Sequence, residues 1–235
     1  MVPGVVGHPA ANGWGDGMDS RTLPQVRAAS SHDAAVVAEI LSDAFRDDPV
    51  MRWLIPDARH RSRLVRAYFG AAVQHLYLPR GRVFLSDGDS GAALCLPPGV
   101  SAGSLPILAE LSLVWQVFRT AGLAGLSWAR SLQAEMRANH LAEPRYYVHA
   151  VGVRATEQGR GVGSALMRHV TRHCDRERLP ACLENTNERN LPLYGRNGFT
   201  VVRELRVFDG GPPIWFMVRD PCPAPLAFRS ASCAS

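Results

Sequence analysis

Gln158-Gly159-Arg160-Gly161-Val162-Gly163 has the composition of a loop that holds phosphate. It stands between a strand-like alternating run, Tyr146 to Val153, and a helix-like run, Ser164 to Arg176. Glycines at alternate positions leave main-chain N–H groups uncovered by Cβ atoms. A helix starting just after them aims the positive end of its dipole the same way. Loop and helix end together make a socket for a pyrophosphate, and hence for a nucleotide-like cofactor.

Three cofactor chemistries compete for that socket. An ATP-type loop ends in Gly-Lys-Ser/Thr. All 26 basic residues are arginine and the chain has no lysine, which excludes that motif and any Schiff-base lysine. A dinucleotide turn has Gly-x-Gly-x-x-Gly directly after its strand. Here the pattern reads Gly-x-Gly-x-x-Ser from Gly159, and Arg154 to Glu157 separate strand from glycines, although Glu184 stands at about the spacing of that motif's acidic residue. The third chemistry is the diphosphate of coenzyme A.

For the third, the sequence resembles the GNAT superfamily of N-acyltransferases. Gln158, Gly161 and Gly163 match every fixed position of the family's [QR]-x-x-G-x-[GA] signature. Downstream, Asn187, Tyr194, Gly198 and Phe199 fit a second family pattern, N-x-x-A-x-x-x-Y-x-x-x-G-F, with Asn190 in the alanine position. Asn190, with the run Arg189-Asn190-Leu191-Pro192 and Gly198-Phe199-Thr200-Val201, is most similar to the subgroup that includes puromycin N-acetyltransferase. The resemblance covers most of Val26 to Arg219. It implies acetyl-CoA as cofactor. It also implies two parallel strands, at Tyr146 and Ala181, that splay to admit the pantetheine arm along the main chain of Val151, Gly152 and Val153. The diphosphate would lie on Gln158, Gly159, Arg160, Gly161, Val162, Gly163 and Ser164, with Asn190 as a side-chain ligand.

Acyl transfer from a thioester to an amine needs an unprotonated nitrogen, although free alkylammonium groups titrate near about 10.4. It also needs donors for the developing oxyanion and an acid for the departing thiolate. Tyr194 is the candidate acid, because the family places this hydroxyl beside the thioester sulfur; the competing role is an aromatic packed on the sheet. Glu184 is the leading base candidate, against a carboxylate that caps the turn at Asn185 or Asn187. His149 competes as base, since period two puts Tyr147, His149, Val151 and Val153 on one strand face; strand histidines are also commonly packed and hydrogen-bonded. Some histone-acetylating relatives carry glutamate where Tyr147 stands, which puts that version of the mechanism in doubt. The N–H of Val151 or a neighbour is the oxyanion donor. Asp47 and Asp48 either attract a cationic amine or end a helix. Trp53, Trp115 and Trp215 are candidate pocket walls or core residues. His169 and His173, at i and i+4, lack a third metal ligand, and no metal is expected.

The elements that must position these groups follow from periodicity. Val26 to Ala29 reads as a strand. Asp33 or Ser31 caps a helix with Val37, Leu41 and Phe45 inward, ended by Asp47-Asp48-Pro49. Ala58 to Leu78 is helical. Val83 to Ser86 and Ala92 to Leu96 form a hairpin around Asp87-Gly88-Asp89. Leu105 to Asn139 is a helical region broken near Gly122 and Gly125. Val162, Leu166, Val170 and Cys174 turn the next helix toward the sheet. Ala181 to Glu184 is a strand, Glu188 to Arg196 a short helix, and Phe199 to Val207 and Pro213 to Arg219 closing strands. The fold class is mixed α/β: a mostly antiparallel central sheet with two splayed parallel strands, flanked by helices.

The 235 residues, 46% hydrophobic, are expected to form one domain over 25–220, with loose tails at 1–24 and 221–235. Met18 opens a more ordinary start than Met1. The net charge of +5 is scattered, with no basic run interleaved with aromatics, so nucleic acid is not an expected partner. No apolar run reaches the length of a membrane span, and no secretion signal opens the chain. Five cysteines without paired spacing suggest reduced thiols in a cytoplasmic protein. The expected activity is transfer of an acetyl group from acetyl-CoA to a primary amine of a small molecule, by direct attack in a ternary complex, by a monomer or homodimer. Alternatives are a protein lysine or N-terminal acetyltransferase, a non-catalytic acyl-CoA-binding module and an NAD-binding protein.

Overall fold

The computed structural model describes residues 24–100, 144–206 and 210–222, with 106–107, 111–115, 117–119, 122, 126–127, 130–131 and 134 between them. The expected tails at 1–24 and 221–235 therefore lie almost wholly outside the described residues. The described positions from 107 to 134 are helical; Gly122 has φ 64°, and Gly125 lies outside the described residues.

Seven strands form one sheet: β1 (Val26–Ala28), β2 (Arg82–Ser86), β3 (Gly91–Leu96), β4 (Tyr146–Val153), β5 (Ala181–Asn185), β6 (Thr200–Leu205) and β7 (Ile214–Arg219), in the order β1-β2-β3-β4-β5-β7-β6. Every neighbouring pair is antiparallel except β4 and β5. That parallel pair registers only at Tyr146↔Ala181 and Tyr147↔Cys182. Beyond Tyr147 the two strands part, as the mixed sheet with splayed strands requires.

Helices cover both faces. On one lie α1 (Ala34–Phe45), α2 (Pro49–Leu54) and α3 (Ala58–Ala72), the last running through a π turn, Val73–Tyr77, into α4 (Leu78–Arg80). Val37, Ile40, Leu41, Phe69, Leu76 and Tyr77 fill this side against Leu85, Leu94 and Tyr147. On the other lie α5 (Val162–Glu177) and α6 (Leu191–Arg196). Leu166, Met167, Val170 and Cys174 pack there against Val148, Leu183 and Phe199, so the four-residue spacing read from sequence does face the sheet.

Three expectations need correction. Asp33 does not cap α1 with its side chain; its carboxylate reaches back to the Ser30 N–H (2.7 Å) and hydroxyl (2.9 Å) in a capping box. Asp48 starts a further helix, α2, by accepting from Val50 N–H (2.9 Å) and Met51 N–H (3.2 Å), with Pro49 at its first turn. The single face of Tyr147, His149, Val151 and Val153 is broken. Leu94 pairs with Ala150 but Cys95 pairs with Val148, leaving His149 as the extra residue of a β-bulge. Tyr147 and Ala150 therefore join the α1 side, while Val151 and Val153 join the α5 side.

Gly152 lies beside α1, where a Cβ would come within 2.9 Å of the Ala44 Cβ and 3.0 Å of the Leu41 Cδ2. Its missing side chain brings the end of α1, and the turn after it, close to β4.

Candidate active site

Where β4 and β5 part, a cavity of about 210 Å³ opens. Its walls come from four places: Ala44 and Phe45 at the end of α1 with Asp47 and Asp48 just after it; Val148 to Val151 on β4; Glu184 to Asn187 at the end of β5; and Asn190 with Tyr194 at α6. The sequence candidates His149, Val151, Glu184, Asn190 and Tyr194 are thus brought together. Among the described residues the charged groups in this lining are Asp47, Asp48 and Glu184, with no arginine, although the chain as a whole is basic.

Glu184 is half-buried, and burial pushes its carboxyl up to about 7, against the opposing effect of a hydrogen bond from the Tyr147 hydroxyl. Tyr194 is buried; burial first, and the charge of Asp48 second, push its hydroxyl up to about 12. Near neutral pH one group is poised to gain or lose a proton and the other holds its own. Asp48 is also raised by burial, which outweighs its bonds from Thr186, Met51 and Val50.

His149 stands at the bulge with both ring nitrogens engaged. Its Nε2 meets the Tyr68 hydroxyl at 2.8 Å and its Nδ1 the Tyr147 hydroxyl at 3.3 Å. Its ring stacks on that of Tyr77, 5.3 Å between centroids. Burial pulls the imidazole down to about 4, so it is neutral at pH 7.

The glycine loop reaches α5 with Gly159 and Gly161 at φ 77° and 85°. Gly161 is the N-cap, and no side chain caps the helix. The first-turn N–H groups therefore have neither an intrahelical partner nor a side-chain cap. A Cβ at Gly159 would meet nothing within 4 Å. This open row of amides at a 16-residue helix fits an anionic diphosphate. The Val162 side chain is buried in the core, so its main chain alone borders the loop. Arg160 is largely exposed and pairs with Glu157 at 3.5 Å. The Gln158 side chain donates to the Val153 carbonyl at 3.3 Å.

Main-chain direction in β4 follows from one bond. Arg154 N–H donates to Ser90 O at 2.9 Å, toward the β3 side. Alternation then turns the N–H and C=O groups of Val151 and Val153 away from β3, into the split, and those of Gly152 toward β3. Trp53, Trp115 and Trp215 do not line the cavity; Trp215 donates to Glu204 at 3.2 Å and Trp115 stacks on Phe118. His169 lies against the Phe84 ring, and His173 bonds the Tyr146 hydroxyl at 3.1 Å. Among the described residues no three His, Cys, Asp or Glu side chains are grouped to hold a metal, and no helix is long and apolar enough to cross a membrane.

Sequence reasoning missed Thr186 and the role of Tyr68. Thr186 carries no pattern signal, and Tyr68 lies within a run whose pattern reports only a helix.

The fold is the one shared by solved GNAT acetyltransferases. The family model "Acetyltransferase (GNAT) family" matches residues 110–199. A Schizosaccharomyces pombe protein, described as an uncharacterised N-acetyltransferase, is 26% identical over 220 residues, 87% of each chain. Among solved structures, a Corynebacterium glutamicum protein described as histone acetyltransferase HPA2 and related acetyltransferase has a TM-score of 0.65 at 24% identity, over 87% of this chain and all of that one. The polyamine N-acetyltransferase of Drosophila melanogaster has a TM-score of 0.53 at 15% identity, over 84% of this chain and 99% of its own. The solved structures show the GNAT fold; the family match and the yeast relative support a GNAT acetyltransferase, and acetyl-CoA is the cofactor of that family.

Proposed function

We propose that this protein is an acetyl-CoA-dependent N-acetyltransferase acting on a primary amine of a small molecule. The observation that carries this is the pairing of Glu184 and Tyr194 on one cavity, with their proton affinities set far apart by their surroundings. When bound, acetyl-CoA supplies an acetyl thioester. Gln158, Gly159, Arg160, Gly161, Val162, Gly163 and Ser164 would hold its diphosphate. The main chain of Val151, Gly152 and Val153, with Asn190, would hold its arm. The direction of Val151 and Val153 into the split supports that part.

Glu184 takes the proton lost by the acceptor nitrogen as the new C–N bond forms. Tyr194 gives its hydroxyl proton to the sulfur as the C–S bond breaks, leaving amide and free thiol. Solvent resets both side chains. The Val151 N–H, turned into the split, would polarise the thioester carbonyl. An acidic cavity draws the acceptor in as its ammonium form, and partial burial next to Glu184 favours loss of the proton there.

Within the family, Asn190 and the run Arg189-Asn190-Leu191-Pro192 favour the subgroup that includes puromycin N-acetyltransferase, and a cytoplasmic monomer or homodimer fits that assignment. The test is thiol release from acetyl-CoA across puromycin, polyamines, arylalkylamines and a lysine-bearing peptide. Release with one or more small amines above the peptide is expected. Release with the peptide alone would move the acceptor to protein.

A further inference from the structure

Behind Glu184 lies a file of groups that the acetyl-transfer scheme leaves unused. The Tyr147 hydroxyl is bonded to the Glu184 carboxylate. The His149 Nδ1 lies 3.3 Å from that same hydroxyl, and the Tyr68 hydroxyl 2.8 Å from Nε2. Tyr68 comes from α3, Tyr147 and His149 from β4 and Glu184 from β5, so the file crosses three elements. The bulge makes it possible, because His149 as the extra residue stays on the side of Tyr147, under the Tyr77 ring.

The chemistry of each member fixes the direction. An ionised carboxylate only accepts, so Tyr147 must donate to it. The Tyr147 oxygen is then left to accept, which calls for a proton on His149 Nδ1. A neutral imidazole with Nδ1–H has a lone pair at Nε2, and that lone pair accepts from Tyr68. Every donor points toward Glu184. We infer that Tyr147, His149 and Tyr68 are positioning residues for Glu184, a one-way chain of hydrogen-bond donors that ends on its carboxylate. They orient it toward the cavity and keep it ionised in a site where burial alone favours the neutral acid.

Among the described residues the carboxylate has one other donor, the main chain of Glu184 itself. The groups facing Glu184 are Cys182 on its own strand, Tyr77 on the π turn, Tyr147 and His149 on β4, Asp47 and Asp48 after α1 and Tyr194 on α6. Among the described residues none of these is a cation at neutral pH, and the partner of Glu184 across β7 is Phe216. Tyr147 is thus the side-chain donor on which the charge depends. The chain serves catalysis only if Glu184 is the base proposed above, but its existence is measurable without any acceptor.

The experiment has two readings on the full chain. First, the 13Cδ2 and 15N shifts of His149 in the wild-type protein report its tautomer; the Nδ1–H form is expected, and the Nε2–H form would overturn the chain. Second, 13C-carboxyl titration follows Glu184 in wild type, Tyr147→Phe and Tyr68→Phe. Tyr147→Phe should raise the Glu184 midpoint by about one pH unit. Tyr68→Phe should shift it less and let both His149 tautomers appear. A Glu184 midpoint unchanged in folded Tyr147→Phe would sink the inference. The wild-type tautomer decides the matter alone if that variant does not fold.

Discussion

Asp48 and Thr186 are 138 residues apart in the chain, and the Thr186 hydroxyl donates to the Asp48 carboxylate. The same carboxylate caps α2 through Val50 and Met51. One buried acid therefore ties the turn after α1 to the loop after β5, two walls of the same cavity. Asp48→Ala removes both the cap and the tie. It should cost about 2 kcal/mol in urea unfolding and raise KM for the amine. Thr186→Val removes only the tie and should cost about 1 kcal/mol. A cost for Thr186→Val as large as that for Asp48→Ala would mean that the cap contributes nothing.

Tyr194→Phe removes a proton and little volume. If the hydroxyl protonates the departing thiolate, kcat should fall by about a hundredfold. The dissociation constant of coenzyme A, measured by calorimetry, should stay within about twofold. Equal losses in kcat and in coenzyme A affinity would point to a packing role instead.

Glu184 sets an acid limb. With its carboxyl raised to about 7, kcat/KM should rise through about pH 7 and level above it, and Glu184→Gln should lose both the limb and most of the activity. Stability carries the opposite sign. The folded-state affinity for the proton exceeds the ordinary one, so the contribution from Glu184 is fully present below about pH 4.5 and is lost as pH rises through about 7. Glu184→Gln should therefore unfold at higher urea than wild type at pH 8, by up to about 3 kcal/mol, and show no such gain at pH 4.

Gly161 has φ 85° at the start of α5. An alanine there adopts the left-handed region at a cost of about 1–2 kcal/mol and covers part of the amide row. Gly161→Ala should lower both the melting temperature and the affinity for coenzyme A. Arg160→Ala, which changes only an exposed side chain, should leave the melting temperature unchanged.

Much of this was legible in the sequence because it is written in local pattern. The limits of β4, the inward stripe Val162, Leu166, Val170 and Cys174, and the hairpin at Asp87-Gly88-Asp89 all follow from period and turn chemistry. The glycine loop announced itself by spacing, and Glu184, Tyr194 and Asn190 by the motif around them. What stayed hidden depends on pairing between strands or on contacts distant in sequence. The bulge at His149 is invisible in β4 alone, since it exists only against the register of β3. Asp48 read as a helix end because Asp-Asp-Pro stops one helix and, with Pro at the first turn, equally starts another. The partners Tyr68 and His149 lie 81 residues apart, and nothing in either neighbourhood names the other.

The extra residue in β4 divides the strand into two regular segments. Upstream of it, Tyr147 faces the α1 side; downstream, Val151 and Val153 pack toward α5 while their amides and carbonyls face the gap. Deleting His149 would restore an unbroken alternation with Tyr147 and Ala150 still toward α1 and Val151 and Val153 still toward α5, so that the histidine alone would be lost. The bulge thus seats a histidine beside the opening between β4 and β5 without changing which side chains of the strand face either helix layer.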